Sequence, residues 1–88
     1  MTEKISKNYK NLLVRRLKNK GIIGGAHKPE DSYLRFLRGH SERNAVLKAY
    51  TELVKEMVII RHKKNNDVHV SLTTNKKIYM PYLQHSEQ

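Results

Sequence analysis

Residues 40–72, HSERNAVLKAYTELVKEMVIIRHKKNNDVHVSL, decide the fold of this chain. Their first half carries apolar residues at the three- and four-residue spacing of an amphipathic helix, and Ser41 is a favourable N-cap for it. The predicted apolar face consists of Val46, Leu47, Tyr50, Leu53, Val54 and Met57. Residues 57–63 favour a strand, residues 63–67 a turn, and residues 68–72 alternate as a half-buried strand does. The stretch therefore predicts a helix followed by an antiparallel β-hairpin.

The preceding residues predict two more helices and a short strand. Apolar spacing favours a first helix over residues 2–19, and Gly21 fits the left-handed position that ends it. Residues 22–23 have the composition of a two-residue edge strand, which would add a third strand to the hairpin. A second helix is expected to open at Pro29 and to end at Gly39.

The C-terminal residues are harder to interpret. Residues 78–83 are too apolar for a solvated tail, and Pro81 argues against a long regular helix through them. We therefore expect one domain over residues 1–77. Residues 78–88 would form an apolar and then polar tail, whose apolar part packs back on the domain or contacts a partner.

Composition points to a polyanionic partner. The 88 residues contain 18 Lys and Arg against eight Asp and Glu, for a formal net charge of +10. Nucleic acid is the first candidate, followed by a membrane surface or an acidic protein. The absence of cysteine excludes disulfides and thiolate metal sites. Because no apolar run is long enough to span a bilayer and no secretory leader is evident, we expect a cytoplasmic protein.

The residues RGHSERNAVLKAYTELVKEMVIIRHKKNNDVHVSL, with the elements expected before them, resemble the winged helix-turn-helix superfamily. The resemblance covers about residues 2–72. Within the superfamily, the chain is similar to small stand-alone archaeal or viral transcription-factor-like domains. It implies an α+β fold, with a three-helix core and a C-terminal β-hairpin wing. One departure is Glu56-Met57 at the junction of helix and strand, where this superfamily usually has a glycine.

The resemblance implies sequence-specific binding to double-stranded DNA and transcriptional regulation. The third helix would lie in the major groove, and the hairpin would contact the backbone or the minor groove. Arg43, Asn44 and Lys48 would face bases, with Ser41 and Thr51 at flanking phosphates. Because Glu52 is expected on the same exposed face, only the first two turns of the helix would approach DNA. The hairpin contacts would come from Arg61, Lys63, Lys64 and Asn65, and further backbone contacts from Arg15, Arg16, Lys18, Arg35 and Arg38.

Other functions stay open at this point. The chain also suits an RNA-binding or ribosome-associated winged helix, or a protein-interaction module. The first helix and residues 78–83 are the candidate homodimer surfaces. We expect no enzyme, because no catalytic constellation stands out among the eight acids. We also expect no metal or cofactor, because the five histidines match no zinc spacing, although His27 and His69 can meet in space.

Overall fold

The computed structural model describes the backbone of residues 2–84, together with the side chains other than those of residues 2–7, Lys64 and Gln84. Over this range the elements are α1 (Thr2–Asn19), β1 (Lys28–Pro29), α2 (Glu30–Tyr33), a 3-10 helix (Leu34–Leu37), α3 (Arg43–Lys55), β2 (Ile59–Lys64), β3 (Asp67–Leu72) and α4 (Lys76–Gln84). The fold class is α+β, as predicted. None of these helices is both long enough and apolar enough to cross a bilayer.

The sheet has three antiparallel strands in the order β1-β3-β2. The predicted hairpin is confirmed, with Ile59 opposite Leu72 and His62 opposite His69. Directly paired residues project from the same face of a sheet. Ile59, Val70 and Leu72 therefore belong to the face that joins the core, while His62 and His69 occupy the other face.

The third strand lies elsewhere than predicted. Residues 22–23 form no strand, and Ile23 makes only an isolated parallel bridge to Leu72. The reason is the way α1 ends. Gly21, at φ 70°, donates its N–H to Lys18 O, and Ile22 donates to Leu17 O at 2.9 Å. This is a Schellman motif, which uses the N–H of Ile22 to satisfy the last carbonyls of α1.

The segment before α3 is less regular than predicted. Pro29 is extended and belongs to β1, and the second helix has only four α-helical residues before it narrows into the 3-10 helix. Gly39, at φ 73°, ends this segment as expected. Ser41 is not the N-cap of α3, because the helix begins two residues later and Glu42 precedes it without a side-chain cap. His40 Nδ1 instead accepts the N–H of Glu42 at 3.0 Å.

The core lies between α1, α3 and the inner face of the sheet. Its fully buried side chains include Leu13, Leu17, Val46, Leu53, Val58, Ile59 and Leu72. Tyr33 enters it from α2 and donates its hydroxyl to Leu13 O at 2.8 Å. Burial raises the pKa of Tyr33, so this hydroxyl stays protonated as a donor.

Residues 76–84 form an added helix of the core, and residues 85–88 of the predicted tail lie outside the described residues. Tyr79 is 3% exposed, and α4 packs on α1. Pro81 was expected to argue against a long regular helix, but it lies inside the nine-residue α4. Asn75 Oδ1 caps this helix by accepting the N–H of Lys77 at 3.0 Å. The predicted boundary between residues 77 and 78 falls within this helix. The two predicted homodimer surfaces, α1 and residues 78–83, contact each other within the chain, and Ile78 and Met80 remain partly exposed.

A cluster of charged and polar side chains joins α4 to α1 and α3. Lys10 Nζ lies 3.0 Å from a carboxylate oxygen of Glu52 and 3.1 Å from one of Glu56, and Tyr82 donates to Glu56 at 2.8 Å. Desolvation alone would raise the pKa of Glu56, but the hydrogen bonds from Tyr82 and Lys10 outweigh it and hold that pKa below its ordinary value. The carboxylate is therefore stabilised where the three helices meet.

Met57 is exposed and does not belong to the apolar face of α3, contrary to the prediction. Its side chain is 63% exposed and its φ is 64°. Met57 donates its N–H to Val54 O, and Val58 donates to Leu53 O, which repeats at the end of α3 the motif that ends α1. Met57 thus occupies the position that a glycine adopts without strain.

We predict that Met57→Gly raises the free energy of unfolding by about 0.5–1 kcal/mol. Relief of the left-handed strain outweighs the added freedom of glycine in the unfolded chain. The matched control is Lys55→Gly, two residues earlier on regular helical backbone, which should lose about 1 kcal/mol. Urea denaturation measures both, and a loss of stability in Met57→Gly would contradict the assignment.

Candidate nucleic-acid interface

The outward face of α3 is polar over its whole length. Steps of four, three and four residues bring together four exposed side chains, those of Asn44, Lys48, Thr51 and Lys55. The opposite face is buried through Val46, Ala49, Tyr50 and Leu53. Neither lysine forms an ion pair with any residue that the structure describes. The face therefore presents an amide, a hydroxyl oxygen and two unpaired ammonium groups to an external partner.

The predicted site residues of α3 divide between two surfaces. Asn44 and Lys48 share the outward face, but Arg43 lines a cleft with Arg35 and Arg38. Ser41 is exposed in the turn before the helix. Thr51 donates its hydroxyl to Leu47 O at 3.0 Å, so its oxygen is left to accept a hydrogen bond from a ligand.

Glu52 was predicted on the exposed face of α3, and 37% of its side chain is exposed. Its carboxylate lies at the flank of α3 and pairs with Lys10 of α1. Because Lys10 also pairs with Glu56, two acids share one cation, and this flank keeps a net charge of −1, since 1 − 2 = −1. Lys10 lowers the repulsion that Glu52 would exert on a phosphate beside Thr51 and Lys55 but does not remove it.

The tip of the hairpin is exposed. Lys63 is exposed, and Asn65, within the turn predicted over residues 63–67, adopts the left-handed conformation at φ 51°. The side chain of Lys64 lies outside the described residues. Arg61, unlike the residues of the tip, forms an ion pair with an acid of the domain.

That acid is Glu30, at the start of α2. Its carboxylate accepts hydrogen bonds from the Tyr50 hydroxyl of α3 and from Arg61 Nε of β2, the latter at 3.0 Å. Burial is the main cause that raises the pKa of Tyr50, and its hydrogen bond to the Glu30 carboxylate raises it further. The Tyr50 hydroxyl thus remains a donor, and one carboxylate connects α2, α3 and the hairpin.

The residues predicted to contact the backbone from outside α3 fall into two groups. Arg15 and Arg16 are half-buried, with Nε atoms that lack a hydrogen-bond partner, and the Arg16 guanidinium lies 4.0 Å from the centre of the Phe36 ring. These two side chains pack within the domain. Lys18, Arg35 and Arg38 are exposed.

Three histidines meet on the outer face of the sheet. His27 Nδ1 lies 2.9 Å from His69 Nδ1, which confirms that these residues meet, and the His27 and His62 rings lie 5.0 Å apart. His62 Nε2 is 2.9 Å from Ser71 Oγ. Within residues 2–84 no group of three or more potential ligands is arranged to hold a metal ion. The cluster joins the residue that precedes β1 to β2 and β3 through ring contacts and hydrogen bonds.

Comparison with protein families, with curated proteins and with solved structures gives no match for this chain. What this surface can bind is therefore inferred from its own residues and geometry.

The predicted site residues did not include Lys55, which lies on this surface, or Glu30, which binds Tyr50 and Arg61 behind it. Lys55 is exposed one turn beyond Thr51, and helical spacing alone places it on the outward face. Glu30 was recognised only as a first-turn acid of the second helix. Its contacts reach residues 20 and 31 positions away, and no local pattern indicates such a contact.

We predict that Glu30→Ala lowers the free energy of unfolding by about 2 kcal/mol, because the partly buried Tyr50 hydroxyl loses its acceptor and Arg61 loses its partner. The control is Asp31→Ala, an exposed acid in the same turn without an ion pair in the described residues, which should change stability by about 0.5 kcal/mol or less. Urea denaturation of both variants gives the comparison. Equal losses would show that the Glu30 contacts do not stabilise the fold.

Proposed function

We propose that this protein is a winged helix-turn-helix protein that binds double-stranded DNA sequence-specifically and regulates transcription in the cytoplasm. In this proposal α3 enters the major groove, and the β2–β3 hairpin contacts the backbone or the minor groove. The observation that carries the proposal is the outward face of α3, which is exposed and polar while the opposite face is buried.

The topology supports the proposal. The chain runs helix, strand, helix, helix and hairpin, and β1 adds to the hairpin beside β3. A glycine-containing turn at residues 38–42 separates the 3-10 helix from α3. This is the element order expected of a winged helix, in which the helix before the hairpin contacts DNA.

The dimensions of the outward face also suit a groove. With its side chains, an α-helix is about 10–12 Å across. A major groove about 12 Å wide accepts such a helix. An asparagine side chain pairs with the adenine edge, and a lysine with guanine, so Asn44 and Lys48 carry the chemistry for base discrimination.

The distribution of charge favours DNA as well. Three of the acids, Glu30, Glu52 and Glu56, are each paired with a cation of the domain. Lys48, Lys55 and Lys63 have no such partner among the described residues. Each contact between a cation and a phosphate releases a condensed counterion, so we expect an affinity that falls steeply with salt.

We predict that Lys48→Ala and Lys63→Ala weaken DNA binding in different ways. A target is first selected from a random duplex pool. Lys48→Ala should then lose about 1–3 kcal/mol of binding to that target and much less to unrelated duplex, because it removes a base contact. Lys63→Ala should weaken binding to both duplexes about equally and lower the salt slope by about one, because it removes a phosphate contact.

The matched control is Lys76→Ala, which removes one exposed charge from the start of α4. It should leave specific binding nearly unchanged. Equal losses in all three variants would show that binding depends on net charge alone.

The same titration with double-stranded RNA tests the alternative partner, because the deep, narrow major groove of RNA excludes a helix. Tighter binding to RNA than to the selected duplex would overturn the proposal.

A further inference from the structure

A cleft separates the 3-10 helix from the first two turns of α3. Its volume is about 400 Å³, within the range of about 300–1,000 Å³ that is usual for small-molecule sites. The residues that line it, which we call the arginine cleft, are Asp31, Leu34, Arg35, Leu37, Arg38, Arg43 and Leu47. Three cations and one acid give the lining a formal charge of +2, since 3 − 1 = 2.

The three arginines of the cleft are free to bind a ligand. Among the described residues, the side chains of Arg35, Arg38 and Arg43 form no hydrogen bond or ion pair. Two other arginines do have partners within the domain, since Arg16 stacks on Phe36 and Arg61 pairs with Glu30. Planar guanidinium groups match phosphate oxygens in a bidentate manner, so three of them around one cavity favour a phosphate.

The floor of the cleft argues for more than a bare phosphate. Leu37 is 2% exposed, and Leu34 and Leu47 are half-buried. Because Leu37 is almost completely buried, the apolar surface open to a ligand comes from Leu34 and Leu47, and the flat or apolar body of a phosphate ester can cover it. Burial of that body on the leucines adds to the charge-assisted bonds.

We propose that the arginine cleft binds a small phosphate monoester with a flat or apolar body, of the chemical class of a mononucleotide. Arg43 is the first residue of α3 and lies next to the outward face. An anion bound in the cleft would pair with the Arg43 guanidinium, which could then no longer contact DNA. The ligand therefore competes with DNA for the beginning of α3. This regulatory consequence rests on the proposed DNA-binding function, whereas binding of the ligand does not.

The test uses adenosine 5′-monophosphate as the probe, with adenosine and inorganic phosphate as separate arms at matched ionic strength. Amide shifts of the full chain are followed by NMR. We expect saturable binding of the monophosphate with shifts centred on residues 34–47, and at least tenfold weaker binding of the other two compounds. Arg35→Gln and Arg38→Gln should each weaken the monophosphate at least fivefold.

The control is Lys55→Gln, an exposed cation of α3 outside the cleft, which should bind the monophosphate as the parent does. The proposal is overturned if binding does not saturate, if inorganic phosphate binds equally well, or if Lys55→Gln loses as much as the arginine variants. All three positions are exposed, so each variant is expected to fold, and an unfolding curve for each variant checks this.

A DNA titration in saturating monophosphate separates this proposal from the one on which its regulation rests. We expect at least fivefold weaker DNA binding than at the same ionic strength without the ligand. Unchanged DNA affinity would overturn the regulatory consequence. A chain that binds the monophosphate but no duplex would overturn the DNA-binding function and leave the cleft as a ligand site.

Discussion

The orientation of α3 relative to the hairpin depends on the carboxylate of Glu30. It accepts hydrogen bonds from Tyr50 on α3 and from Arg61 on β2 while it stands at the start of α2. Close packing of the core resists sliding of the helix against the hairpin, but apolar burial itself has no preferred direction. A charge-assisted hydrogen bond has a defined geometry, so this carboxylate holds the helix and the hairpin at one angle. Both elements of the proposed interface are thereby preorganised.

The acids and the cations of the chain differ in their partners. Glu30, Glu52 and Glu56 form the ion pairs that connect elements of the domain. The exposed cations of α3, of the hairpin tip and of the arginine cleft have no intramolecular ion pair among the described residues. A chain with a net charge of +10 pays for this arrangement in self-repulsion. A polyanion relieves that repulsion, which favours association with nucleic acid.

The elements with strong periodicity were predicted well from the sequence. The bounds of α1, the hairpin with its turn, and the left-handed Gly21 followed from apolar spacing and turn chemistry. The position of β1 did not, because a strand of two residues has no period to detect. Pro81 pointed away from a helix that the burial of Tyr79 stabilises. Tertiary packing outweighed local propensity there.

The site was less predictable than the fold for the same physical reason. Helical spacing identified Asn44, Lys48 and Thr51 as one face, because that relation is local. Arg43 was assigned to the bases with them, but it lines a cleft with residues five and eight positions earlier, a contact that no local pattern indicates. The burial of Arg16 on Phe36 and the pairing of Arg61 with Glu30 depend on contacts between distant segments. Such contacts decide which cations remain available to a partner.

The most direct test of the central claim is to map one duplex on the protein by NMR. Amide shifts are recorded while the full chain is titrated with its selected DNA target. If α3 and the hairpin contact the same duplex, the largest changes fall in residues 43–55 and 61–66, and residues 76–84 of α4 change little. Changes centred on α4, or on the hairpin without α3, would contradict the claim.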